Sequence, residues 1–145
     1  MRKSNLPLLF IIILLFSMLA ACSGEGISGS ASGGRQSMRS SAAGGSANGS
    51  YKRIKGTFGA SFETSAGSDD YVLVDVTASV ETGGLRIFLK GPEGDLSEVT
   101  LDPGQSGSVS GKAELDFDDE FRVYFEALDE EAEGVEYDLT FRYQE

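Results

Sequence analysis

"VEYDLTFRY", Val135 to Tyr143, alternates without a break. Val135, Tyr137, Leu139, Phe141 and Tyr143 fall on one side of an extended chain, and Glu136, Asp138, Thr140 and Arg142 on the other. A period of two, apolar then polar, describes a strand with one face on a core and one in water.

The same period recurs upstream. "YVLVDVTASV" (71–80) sets Val72, Val74, Val76, Ala78 and Val80 against Leu73, Asp75, Thr77 and Ser79. "LRIFLK" (85–90) turns Leu85, Ile87 and Leu89 inward, which leaves Arg86, Phe88 and Lys90 outward. "SVSGKAELDF" (108–117) offers Val109, Ala113, Leu115 and Phe117, and "FRVYFEA" (121–127) offers Phe121, Val123, Phe125 and Ala127, with Tyr124 on the outer side. "IKGTFGASFE" (54–63) and "SEVTLD" (97–102) are weaker; the glycines of the first suggest a bend or an edge strand. Turn-forming clusters such as "TSAGSDD", "GPEGD" and "DPGQSG" separate the stretches. The expected fold is therefore all-β, an antiparallel β-sandwich of about seven strands with jelly-roll or Ig-like topology. A closed barrel is the main alternative. A mixed α+β domain with a helix around "EALDEEAEG" (126–134) is the other.

The chain opens differently. Arg2 and Lys3 precede the apolar run "LPLLFIIILLFSML". As a helix, 8–19 would span roughly 18 Å, short of the about 30 Å of hydrocarbon in a bilayer. A positive segment, a short apolar run and small residues describe a cleaved signal peptide. "LAAC", Leu19-Ala20-Ala21-Cys22, resembles the lipobox of bacterial lipoproteins. That resemblance implies cleavage after Ala21, a diacylglycerol thioether on Cys22 and, in many bacteria, acylation of the new amino group. Cys22 is the only cysteine, so it has no internal disulfide partner. More than one acyl chain matters, because a single chain holds only marginally. The expected location is the bacterial cell envelope. Ser23 is compatible with the outer membrane of a two-membrane organism; otherwise the protein would sit on the outer face of the cell membrane.

Composition divides the chain into a signal peptide (1–21), a lipidated Cys22 with a Gly/Ser/Ala-rich flexible linker (22–50) and an acidic domain (51–145). A linker of that length would reach typically about 30 Å and at most about 95 Å. The net charge is −11, and the leader and linker carry several of the cations, so the domain is more negative than the whole. Nucleic acid is not an expected partner, since phosphate binding needs a cationic surface. The expected partners are the membrane, through the lipid, and a protein or glycan met by the domain.

Two stretches carry a second resemblance. "GLRIFLKGPEG" (84–94) is similar to a strand and turn of bacterial pre-peptidase C-terminal domains, and "FRVYFEALDEEAEGVEYDLTFRY" (121–143) resembles their closing hairpin, with Tyr137, Asp138, Leu139 and Thr140 as its Tyr-x-Leu-x element. The resemblance implies a non-catalytic accessory or binding sandwich. Gly83 and Gly84 stand where that family often has an aspartate, and Asp119, Glu120 and Phe121 where it often has Gly-Thr-Tyr, so no calcium site carries over from it.

The chain has no histidine, which removes Ser-His and Cys-His pairs and histidine metal sites. Carboxylates are abundant, but a glycoside hydrolase needs a facing pair in a cleft, one of them raised by burial. The expectation is a protein that is not an enzyme and holds no cofactor beyond its lipid. Strand counting places the loops near 65–70, 91–96 and 118–120 at one end and the loop at 129–134 at the other, roughly 20–30 Å away. Asp69, Asp70, Glu93, Asp95, Asp118 and Asp119 are thus the candidate calcium ligands, as solvated turn residues that a metal could use. That end should point away from the membrane.

Overall fold

The computed structural model describes residues 28–65 and 70–144. Cys22, the signal peptide and Asp69 lie outside the described residues. Among the described residues the chain forms ten strands: β1 (Ser30–Ser32), β2 (Arg35–Ser41), β3 (Gly44–Lys55), β4 (Thr57–Glu63), β5 (Tyr71–Ser79), β6 (Leu85–Lys90), β7 (Leu96–Leu101), β8 (Ser106–Glu114), β9 (Glu120–Ala127) and β10 (Ala132–Arg142). The region 126–134 is not helical; it is the end of β9, a loop and the start of β10.

Two antiparallel sheets face each other. The larger runs β1-β3-β10-β5-β8, with β2 also paired to β3, and the smaller runs β4-β9-β6-β7. From β3 onward the chain crosses to the other sheet at each connection except the β6–β7 hairpin. This is jelly-roll order, so of the two expected topologies the jelly roll holds and the Ig-like one does not.

The alternating stretches supply the core. Val72, Val74, Val76 and Ala78 from β5 and Tyr137, Leu139 and Phe141 from β10 are buried under one sheet; Leu85, Ile87, Leu89, Phe121, Val123 and Phe125 are buried under the other. Phe62 stacks on Phe121 with ring centroids 5.2 Å apart, and Tyr137 meets Phe62 edge-on at 6.2 Å, which joins the two sheets. "IKGTFGASFE" divides at Gly56 (φ +60), where the chain turns from β3 into β4, an edge strand of the smaller sheet.

The flexible linker expected over 22–50 is overturned from Ser30 onward. β1 and β2 form one arm, broken at Gly33 (φ +62), that doubles back on β3 through a turn at Ala42 and Ala43. The small residues have a packing role. A Cβ on Gly49 would lie 2.5 Å from the Tyr137 hydroxyl, one on Gly45 2.5 Å from the Phe141 ring, and one on Gly34 2.9 Å from the Tyr51 ring. Large rings from β10 and β3 occupy the space that side chains would fill. The count of about seven strands becomes ten for this reason.

The reversals set the polarity of the sandwich. Ser30 pairs with Lys55 beside Gly56, so the chain enters at that end, here the proximal end, with the loops at 80–84, 102–105 and 128–131. Thr64, Ser65 and Asp70, and the loops at 91–95 and 115–119, lie at the distal end, as strand counting predicts. Backbone hydrogen bonds tie each set together: Leu115 N–H to Asp70 O at 3.0 Å distally, and Leu128 N–H to Gly84 O at 3.0 Å proximally.

Candidate functional site

The outer face of the smaller sheet carries Arg86, Phe88 and Lys90 on β6 and Arg122, Tyr124 and Glu126 on β9. Phe88 and Tyr124 are cross-strand partners. Their rings stack with centroids 4.9 Å apart and planes 9° from parallel. Lys90 Nζ sits 4.8 Å above the Tyr124 ring, and the Arg86 guanidinium 4.7 Å above Phe88. Arg86 in turn is held by Glu126, at 2.9 Å, and by Glu98. The two aromatics do point outward, but Phe88 is only 7% exposed under these neighbours. They form a braced stack and leave no open apolar patch.

Toward the distal end this face opens into a groove of about 840 Å³. Lys90, Arg122 and Tyr124 form its floor, and the three distal loops contribute Asp70, Glu93 and Phe117 among others. Phe117 is fully exposed on its rim, at 108%. This corrects the inward position expected from alternation, because β8 ends at Glu114. Beyond it Asp116 captures the backbone: its Oδ1 accepts the N–H groups of Asp118 and Glu120, both at 3.0 Å. Asp116 N–H donates to Glu120 O at 2.9 Å, and Asp119 adopts φ +59. The result is a three-residue loop with a left-handed third residue, and Phe117 at its first position faces water.

The candidate calcium ligands divide accordingly. Asp70, Glu93 and Asp119 line the groove, while Asp95 and Asp118 do not, and Asp69 lies outside the described residues. Among the described residues no three carboxylates converge as a metal would require. No carboxylate among them is buried either, so the apolar surroundings that lift a hydrolytic acid are not formed by these residues.

The proximal end has a second groove of about 600 Å³, with Arg53, Glu81 and Glu133 in its walls. Of its acids Glu81, Glu133 and Glu136, Glu133 is ion-paired, and further pairs hold acids of the neighbouring 128–131 loop. Arg53 pairs with Glu131 at 3.2 Å and Glu133 at 3.1 Å, Lys55 with Glu131 at 3.6 Å, and Asp129 accepts the Gly84 N–H at 2.9 Å. At the distal groove Asp70, Glu93 and Glu114 make no ion pair among the described residues.

Sequence reading found Asp70, Glu93 and Asp119 of the groove but missed Lys90, Arg122, Phe117 and Glu114. The first two were visible as outward residues two positions from Phe88 and Tyr124. Phe117 carried a signal in "DFDDE" (116–120), where an aromatic is bracketed by turn-forming aspartates.

No family model matches the chain, and no curated protein matches it. Among solved structures it is similar to KdgF from a Halomonas species, with 15% identity and a TM-score of 0.35 over 77% of this chain and 82% of that one. It is also similar to the cupin domain of CENP-C from Drosophila melanogaster, with 12% identity and a TM-score of 0.29 over 97% and 99% of the two chains. Superpositions this loose transfer neither fold detail nor function.

Proposed function

We propose that this chain is a lipid-anchored protein of the bacterial cell envelope that displays a non-catalytic binding sandwich, with the distal groove as its presenting face. The observation that carries the reading is polarity: the chain enters at the end opposite the groove. Ser28 follows Cys22 by only six positions, and six residues reach at most about 20 Å in any conformation. A lipid on Cys22 would therefore hold the proximal end close to the bilayer. The nine residues of β5 set the groove roughly 30 Å further out. The acidic surface adds repulsion from anionic head groups, which keeps the groove facing away.

A second reading, an accessory subunit of an envelope complex, is favoured by the outer edge of β2. Among the described residues that strand pairs with β3 alone, which leaves a row of backbone groups for strand addition. The two readings share the anchor and differ in the surface used.

The anchor is tested with Cys22→Ala. The variant should accumulate as unprocessed precursor or leave the membrane fraction, while the wild type partitions into detergent. A variant that partitions and migrates as the wild type does would remove the lipoprotein reading. Photo-cross-linking groups placed at Glu93 and at Ser37 then separate the surfaces: cross-links to a partner from Glu93 support the groove, and cross-links from Ser37 alone support strand addition.

A further inference from the structure

The geometry points to the distal groove as a docking site for a cationic, partly apolar, extended segment of a partner protein. This rests on the binding-module reading and names what that module would take.

Three large hydrophobic residues are exposed among the described residues: Phe117, Leu96 and Leu128. Two of them stand at the distal end. Phe117 is on the groove's rim, and Leu96 is the cross-strand partner of Lys90, which lines the floor. A fully exposed phenylalanine costs solvation, yet this one is presented on a loop closed by its own hydrogen bonds. With the loop backbone already fixed, only the two side-chain torsions of the ring are left to order on binding, which suits it to anchor a partner's apolar side chain.

Charge selects the rest of the partner. Lys90 lies over the Tyr124 ring, and Arg122 leans toward Asp116 at 3.9 Å. Asp70, Glu93 and Glu114 are left with unneutralised charge facing the groove. The proximal groove also carries acids, Glu81, Glu133 and Glu136, with Arg53 engaging Glu133, but none of the exposed large hydrophobics lines it. Lysine or arginine side chains, alternating with apolar ones along an extended strand, would meet the carboxylates with one set and Phe117 and Leu96 with the other. An anionic membrane or a nucleic acid would be repelled, and a neutral glycan gains nothing from the excess charge. The groove's size is that of a cleft that holds ligands of several residues' bulk.

The test measures fluorescence anisotropy of short labelled peptides with the full chain. An alternating Lys-Leu peptide should bind. An alternating Lys-Ser peptide and an alternating Glu-Leu peptide should bind at least about tenfold more weakly. Raising salt from about 0.05 to about 0.5 M should weaken the Lys-Leu complex by roughly tenfold, because its charge pairs are screened. Phe117→Ser should cost roughly tenfold, and Asp70→Asn with Glu93→Gln together several-fold. Leu128→Ser and Glu130→Gln, matched changes at the proximal end, should leave the affinity unchanged. Absence of Lys-Leu binding, equal binding of Lys-Ser, or distal variants that bind as the wild type does would each overturn the inference. A neutral linear oligosaccharide whose binding is lost in Phe117→Ser would also overturn it while leaving the binding-module reading intact. If, in addition to no peptide binding, the Glu93 position captured no partner in cells, that reading would fall as well.

Discussion

β10 and the first half of β3 lie side by side, yet they are built of opposite materials. Tyr137 faces Gly49 across the ladder, Leu139 faces Ala47, and Phe141 faces Gly45. β10 fills the layer between the sheets, and β3 clears room for it. A glycine in a strand is unfavourable by roughly 0.5–1 kcal/mol relative to alanine, so β3 does not form from its own preference over 44–50. It forms because its backbone completes two ladders, to β10 and to β2, while its missing side chains admit the rings. Strand formation is thus carried by side chains in one case and by their absence in the other.

Opposite changes of volume on the two strands should then both destabilise. On β10, Phe141→Ala removes a buried ring and should destabilise by about 3–5 kcal/mol, read from the urea midpoint. On β3, Gly45→Val adds bulk against that same ring and should cost about 1–3 kcal/mol or more. The comparison sharpens in the double variant. If the two positions share one space, Gly45→Val should cost at least about 1 kcal/mol less when Phe141 is already alanine. Additive costs would break the comparison.

A smaller effect is pH-dependent. Burial holds the Tyr137 and Tyr51 phenols above their usual value near 10.0. The unfolded chain would release these protons first, so their contribution is complete below about pH 10 and is lost as pH rises beyond it. The melting temperature should fall on that side, and Tyr137→Phe should flatten the fall. The smallest effect concerns the arm. Gln36 Nε2 donates to Ser61 O on β4, and Gln36 Oε1 accepts from the Tyr137 hydroxyl, each at 3.3 Å. Gln36→Ala should cost about 1 kcal/mol or less in the same denaturation measurement.

The same contrast explains what the sequence made legible. β5, β6, β9 and β10 announce themselves because each carries its own apolar face, and Val72, Leu85, Phe121 and Leu139 are buried as alternation predicts. Even the sorting of loops to two ends follows from counting antiparallel strands. The arm and the first half of β3 were not legible, because the reason for Gly34, Gly45 and Gly49 lies in rings elsewhere in the chain, and low complexity looks the same whether it is a tether or a packing surface. Jelly-roll against Ig-like order depends on which strands pair at long range, which no local period records. At the groove, Asp70, Glu93 and Asp119 were visible as turn residues, whereas Glu114 closes β8. Phe117 was misplaced because alternation was extended past Glu114, where the Asp116 side chain takes over the backbone.

The account depends most on the arm and the strand it covers: if 30–50 is folded, a lipid on Cys22 would sit on a short tether and the groove would face away from it. Amide hydrogen exchange on the full chain tests this directly. Over 44–50 the backbone is flanked by β2 on one side and β10 on the other. Its amides should therefore exchange with protection within roughly a factor of ten of those over 136–142, well below unfolded-chain rates. Exchange over 44–50 at the rate of an open linker, with 136–142 still protected, would contradict the account and return the segment to a flexible tether.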